Sequence, residues 1–273
     1  MNLSQAKNNT TPIVLSYAGL DPSGGAGVFA DIKTFTMLDV WGMGVATVLT
    51  SQDHKNFGGI VAVDKDFLEK QLEQIFSGRK VSGVKIGLIN KTYQAELIYF
   101  FIKKYAPELV VLDPVAFSSS GEVFWEKEVK DSVIKYLLPV CDVVTPNLKE
   151  ARMILNMQEA GKRELAIGIN REFRCKVVVT GGDVPNAGHI LDVFYDGVRF
   201  EERKADFIDI EPNIKHGTGC VFSSAVCAYM TRGMDFMEAC SLASLFVEKT
   251  IKHHVVFGEK DGALNHNFRG LWI

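Results

Sequence analysis

The chain lacks any cysteine pair at metal-binding or redox spacing. Its 273 residues hold five cysteines, Cys141, Cys175, Cys220, Cys227 and Cys240. The number is odd and no CxxC occurs, which counts against a zinc site and against a disulfide framework. A reducing cytosol is the simplest compartment for such a chain, so a cytoplasmic location is expected. An excess of basic charge is also missing. Lys and Arg total 30 against 33 Asp and Glu, a net charge of −3. With no basic stripe, no nucleic-acid partner is expected. No apolar run approaches a membrane span, and the polar start from Met1 to Thr11 has no signal-peptide core, so no membrane partner is expected either. Linkers and internal repeats are absent. Residues 1–11 are expected to be a flexible tail and residues 12–273 one domain.

What the chain does have is alternation of apolar β-branched runs with amphipathic stretches. Strands are expected at Ile13–Ala18, Val45–Leu49, Val84–Ile86, Leu109–Leu112, Val143–Thr145 and Val177–Val179. Helices are expected at Val28–Leu38, Phe67–Phe76, Thr92–Tyr105, Val129–Leu138, Glu164–Phe173, Val221–Thr231 and Phe236–His253. Asp196-Gly197 between two short apolar runs signals a hairpin. The pattern predicts an α/β fold: a central, mostly parallel sheet, helices on both faces, and an antiparallel hairpin near one edge. Asp113, Asn147 and Gly181-Gly182 each follow a strand, and ligands of open α/β sheets bind beyond such carboxyl ends.

Two glycine-rich turns open helices. His216-Gly217-Thr218-Gly219-Cys220 precedes an apolar helical run. The unpaired amides of a helix's first turn favour an anion, and a cysteine there has its thiolate favoured. The pattern suggests phosphoryl transfer. Asp21-Pro22-Ser23-Gly24-Gly25-Ala26-Gly27 is the second turn. It is neither a Walker A loop nor GxGxxG, but its small residues let a ligand approach the backbone. Gln52 presents an acceptor beside a donor, which matches the ring nitrogen and exocyclic amine of an aminopyrimidine. Asn147 and Glu150, three apart, read either as a helix capping box or as oxygen ligands for hydrated magnesium, with Asp113 adding a second carboxylate.

Together these blocks resemble the hydroxymethylpyrimidine/phosphomethylpyrimidine kinases of the ribokinase-like superfamily. The resemblance rests on Ala18–Gly27, Ala30–Phe35, Lys85-Ile86-Gly87-Leu88, Leu112–Val115, Thr145–Ala151 and His216–Cys220, in order. It implies a ribokinase-like fold, a homodimer, and the cofactors ATP and Mg²⁺. The implied reaction phosphorylates 4-amino-5-hydroxymethyl-2-methylpyrimidine and then its monophosphate, for thiamine synthesis. Gly19, Asp31 and Gln52 match pyrimidine-contacting positions, and Leu88 stands where the family usually has a pocket Met. Gly217, Thr218, Gly219 and Cys220 match the anion hole, with Cys220 in the place of the base. Asn147 and Glu150 match the Mg-phosphate motif, and Asp113 the acidic strand end. Thr180 and Gly182 fall in the phosphate-binding block.

Two lysines common in the family are missing. Thr180-Gly181-Gly182 replaces Lys-Gly-Gly, and Ala116-Phe117-Ser118-Ser119-Ser120 carries no lysine after Asp-Pro-Val. Thr-Gly-Gly is similar to a related branch that phosphorylates pyridoxal, which makes a pyridoxal, pyridoxine or pyridoxamine kinase the alternative. A binding protein that has lost catalysis is a third reading. Ser118–Gly121 and Val184–Gly188 are small or polar enough to serve as a lid.

Overall fold

The computed structural model describes residues 11–53, 56–118, 121–181, 189–259 and 261–268. The first half runs β1 (Ile13–Leu20), α1 (Gly27–Met37), β2 (Trp41–Gln52), β3 (Phe57–Ala62), α2 (Lys65–Phe76), β4 (Gly83–Ile86), α3 (Thr92–Tyr105) and β5 (Leu109–Leu112). Next come α4 (Lys127–Ser132), β6 (Val143–Val144), α5 (Leu148–Leu155), α6 (Lys162–Phe173) and β7 (Lys176–Val179). The rest is β8 (His189–Tyr195), β9 (Phe200–Asp206), α7 (Thr218–Thr231), α8 (Phe236–Lys252), β10 (Val255–Gly258) and β11 (Asp261–Ala263).

Nine strands form one sheet in the order β3-β2-β1-β4-β5-β6-β7-β8-β9. The six strands from β2 to β7 in that order pair in parallel. Antiparallel pairing occurs at both edges rather than one: β8 and β9 form the expected hairpin, and β3 folds back on β2. The second hairpin is hidden in the sequence because Gly58-Gly59 interrupts the apolar pattern, and strand form comes from pairing with β2.

Successive residues of a strand face opposite sides of the sheet. On β1, Leu15 and Tyr17 join a core with α2, α3, α4, α5 and α6. Val14 faces the other core, which holds α1, α7 and α8. The expected helix over Val129–Leu138 is not continuous. It is α-helical to Ser132, a π turn over Val133–Leu137 and a 3₁₀ turn over Leu138–Val140. Pro139 cannot donate to the helical ladder, so the segment ends there. The two-layered covering leaves the carboxyl ends of β1, β4, β5, β6 and β7 along one edge, with the N-terminus of α7 beside them. Among the described residues no helix is long and apolar enough to cross a membrane.

Candidate active site

The two glycine turns interlock. Gly217 has φ +87°, and a Cβ there would sit 1.9 Å from the Gly25 carbonyl oxygen. Only glycine permits that approach and that backbone conformation. Asp21 holds the contact from below. Its carboxylate accepts from the Ser23 and Ala26 amides, from Ser23 Oγ, and pairs with His216 Nε2, all at 2.9 Å. Burial pushes the Asp21 carboxyl up, but the hydrogen bonds from His216 and Ser23 outweigh it and bring it down to about 2. In α7 the first intrahelical bond runs from the Val221 amide to the Gly217 carbonyl, 2.9 Å. The amides of Thr218, Gly219 and Cys220 therefore precede the helical ladder, an arrangement suited to an anion. A Cβ on Gly219 would meet nothing within 4 Å, so that position is open.

A buried charge cluster lies beneath this turn. Lys85 Nζ is 3.0 Å and 3.1 Å from the two Asp31 oxygens and 3.6 Å from Asp113 Oδ2. Lys85 and Asp31 are fully buried. Asp31 also accepts from Ser16 Oγ and Ser224 Oγ, and Asp113 from Ser223 Oγ. Burial depresses the Lys85 ammonium, but Asp31, Cys220 and Asp113 outweigh it and hold it above the usual lysine range. Burial raises the Asp113 carboxyl against the pull of Lys85 and Ser223.

Cys220 departs from the expectation of a favoured thiolate. Burial pushes its thiol up to about 12, reinforced by Asp113 and Asp31 and opposed by Lys85 and the Gly27 amide. The carboxylates and desolvation overcome the helix terminus, so the ligand-free site holds a neutral thiol at pH 7.

On the opposite wall, Asn147 and Glu150 form the capping box of α5. Asn147 Oδ1 accepts from the Glu150 amide at 2.9 Å, and Glu150 Oε2 from the Asn147 amide at 3.0 Å. Glu150 Oε1 accepts from the Ala116 amide at 3.2 Å. The capping reading is thus realised, and a carboxylate so held keeps further lone pairs for a cation. The Thr180 amide donates to Pro146, beside Asn147. Gly182, His54, Ser119, Ser120 and 184–188 lie outside the described residues.

All these walls enclose one cavity of about 770 Å³. Gly19, Gln52 and Leu88 line it, as do Asp113, Asn147, Glu150 and Thr180, and so does the whole of Gly217–Cys220. Asp31 is the exception. It lies under the cavity, outside its lining, because its carboxylate is spent on Lys85 and two serines rather than offered to a ligand. Several charged lining residues carry no individual role in the sequence analysis, among them Asp21, Lys85, Lys149 and Lys215. A lysine inside the apolar run Val84-Lys85-Ile86 was the one visible signal.

Residues 21–265 match the family model described as phosphomethylpyrimidine kinase. The chain belongs to the phosphomethylpyrimidine kinase family. A hydroxymethylpyrimidine/phosphomethylpyrimidine kinase of Rhizobium meliloti is 32% identical over 268 residues, which is 96% of this chain and 99% of the relative. The pyridoxal kinase of Staphylococcus aureus in complex with ADP is similar at TM-score 0.86 and 30% identity, with 94% of each chain covered. A phosphomethylpyrimidine kinase of Clostridium difficile is similar at TM-score 0.77 and 30% identity, covering 88% of this chain and 100% of that one. The chain is therefore a vitamin-precursor kinase of the group that spans both kinds of enzyme.

For a member of this kinase family the donor set has a clear preference. Asp113 and Glu150 offer oxygen only, which suits hard Mg²⁺ bound through one or two carboxylates, waters and substrate phosphates. Among the described residues, no group of three His, Cys, Asp or Glu side chains forms an all-protein metal cage. The residues present fit the magnesium of a nucleotide complex and not a resident structural metal.

Proposed function

We propose that the protein transfers the γ-phosphoryl group of ATP to the hydroxymethyl oxygen of 4-amino-5-hydroxymethyl-2-methylpyrimidine, and then phosphorylates the monophosphate, in thiamine synthesis. Gln52 on the cavity wall carries this reading. Its amide offers adjacent donor and acceptor atoms to the aminopyrimidine edge. Gly19 and Leu88 flank the same space, with Leu88 Cδ2 and Val48 Cγ2 3.0 Å from where a Gly19 Cβ would be. A side chain at Gly19 would crowd both.

In this reading the amides of Gly217, Thr218, Gly219 and Cys220 stabilise the transferring phosphoryl group, whose charge spreads over its equatorial oxygens. Asn147, Thr180 and Gly182 contact the nucleotide phosphates. Asp113 and Glu150 hold Mg²⁺, which when bound offsets phosphate charge. Cys220 Sγ, a neutral thiol in the ligand-free site, orients the substrate hydroxyl, and the loose transition state lets the hydroxyl proton leave late, to an oxygen of the transferred phosphoryl group. Lys85 keeps the Asp31 and Asp113 charges in check beneath it. The protein works as a cytoplasmic homodimer on small-molecule substrates.

The test is Gln52→Leu. Loss of a substrate-directed amide lowers kcat/KM for the aminopyrimidine by about ten- to a hundredfold. An unchanged value overturns the assignment. One observation favours the pyridoxal kinase reading: the backbone is nearer to that of the Staphylococcus aureus pyridoxal kinase, at TM-score 0.86, than to that of the Clostridium difficile enzyme, at 0.77. A Gln52→Leu variant that keeps full activity on pyridoxal supports that alternative.

A further inference from the structure

Besides the buried Lys85, two lysines line the cavity, Lys149 and Lys215. They reach it from unrelated elements. Lys149 is the second residue of α5, and Lys215 ends the 3₁₀ turn just before Gly217. Each ammonium lies over an aromatic ring: Lys149 Nζ is 3.5 Å from the centre of Phe117 and Lys215 Nζ 3.8 Å from that of Phe207. Neither joins an ion pair among the described residues, although Asp209 exerts an attraction on Lys215. Lys85 Nζ, by contrast, is 3.0 Å from Asp31, and Lys252 is paired with Glu248.

Lys149 breaks a local rule: it sits in the first turn of α5, where the backbone dipole favours an anion and disfavours an ammonium, and Lys215 stands two residues before the Gly217 cap of α7. Glu150 follows Lys149 directly, but its carboxylate faces inward to the Ala116 and Asn147 amides. A ring face holds a cation weakly and releases it readily to a stronger partner. Residues that defy local preference in this way mark sites whose partner arrives with the ligand.

We infer that Lys149 and Lys215 are the phosphate-binding lysines of this kinase, two cations held on Phe117 and Phe207 that transfer to ligand phosphate when it enters between the α5 and α7 N-termini. The inference rests on the kinase reading above and supplies positive charge beside the α5 and α7 N-termini. The shared chemistry is a phosphate group, whether of the nucleotide or of the monophosphorylated substrate.

The test compares ligands that differ only in phosphate. Lys149→Met, Lys215→Met and the corresponding arginine variants are titrated calorimetrically with ADP, adenosine, hydroxymethylpyrimidine and its monophosphate. Each methionine variant is expected to bind at least one phosphate-bearing ligand about tenfold more weakly, the loss of a charge-assisted hydrogen bond, with adenosine and the free pyrimidine unchanged. Weakening confined to ADP assigns the lysine to the nucleotide. Weakening confined to the pyrimidine phosphate assigns it to the substrate. Arginine restores most of either. Unchanged binding of both phosphate ligands overturns the inference, and so does equal weakening with and without phosphate. Wild-type protein that binds ADP but phosphorylates no vitamin precursor refutes the kinase reading and leaves the lysine assignment standing.

Discussion

Lys85 Nζ lies 3.0 Å from Asp31 Oδ1, with neither side chain reaching solvent. The pair joins β4 to α1 across 54 residues of sequence and extends to Asp113 at the cavity floor. One cation thus serves two carboxylates. Removing it strands a buried charge, which costs far more than the pair itself contributes. Lys85→Met is expected to lose about 3–5 kcal/mol of unfolding free energy in urea. Adding Asp31→Asn to that variant recovers a good part. A single-variant loss below about 1 kcal/mol, the value of an exposed pair, contradicts the arrangement.

The Asp21–His216 contact gives an acid-stability signature. The Asp21 carboxyl falls from its ordinary 3.8 to about 2 in the folded protein. A lowered folded-state value contributes stability above the unfolded value and loses it as pH drops through the folded one. The contribution is about 2 kcal/mol, present at neutral pH and lost between about pH 4 and pH 2. Asp21→Asn should lack it. Its denaturant midpoint falls below wild type at pH 7, and the two curves converge as pH approaches 2. Parallel curves over that range refute the pairing.

Gly217 and Gly219 are two residues apart and predict opposite behaviour. A methyl at Gly217 meets the Gly25 carbonyl at 1.9 Å on a backbone at φ +87°, whereas one at Gly219 meets nothing within 4 Å. Gly217→Ala is expected to lower the melting temperature and abolish turnover together. Gly219→Ala keeps or slightly raises the melting temperature, by at most about 1 kcal/mol of helix preference, and lowers kcat, because its methyl enters the phosphoryl site. Matching losses of stability in both variants contradict this geometry.

Cys220 gives the alkaline counterpart. Its thiol titrates near 12 in the folded protein against an ordinary 9.0. A raised folded-state value contributes stability below the unfolded value that is lost as pH rises from about 9 to about 12. Cys220→Ser should flatten that loss. In the ligand-free protein, alkylation of Cys220 at pH 7.5, followed by peptide mass, is expected to be at least about tenfold slower than for an unstructured cysteine peptide. Cys220→Ala is expected to lower kcat by at most about tenfold, the effect of losing a contact that orients the hydroxyl rather than a base. An alkylation rate equal to or above the peptide's shows that the thiol is not raised and reverses the assignment.

The sheet and most helices were legible because buried parallel strands are continuous apolar runs and covering helices carry a 3.6-residue stripe. Thr92–Tyr105 was bounded by sequence alone and is α3 as observed. What escaped depends on partners distant in sequence. Phe57–Ala62 is a strand because Thr50 pairs with Ile60 and Leu49 with Val61. The glycine turn was visible, but not that burial, with Asp113 and Asp31 close by, raises the Cys220 thiol and reverses its expected shift. Asp31 was legible as an acidic residue on the first helix. Its burial against Lys85, which removes it from the cavity lining, was not. Lys149 and Lys215 carry no local signal, and only the folded cavity brings them together.

The measurement that bears most directly on the whole account is ADP release by wild-type protein with ATP and Mg²⁺. It is run in parallel on hydroxymethylpyrimidine, its monophosphate, pyridoxal and pyridoxine. The account predicts turnover with hydroxymethylpyrimidine and with its monophosphate, at a higher kcat/KM than with either pyridine. Turnover confined to pyridoxal and pyridoxine contradicts it.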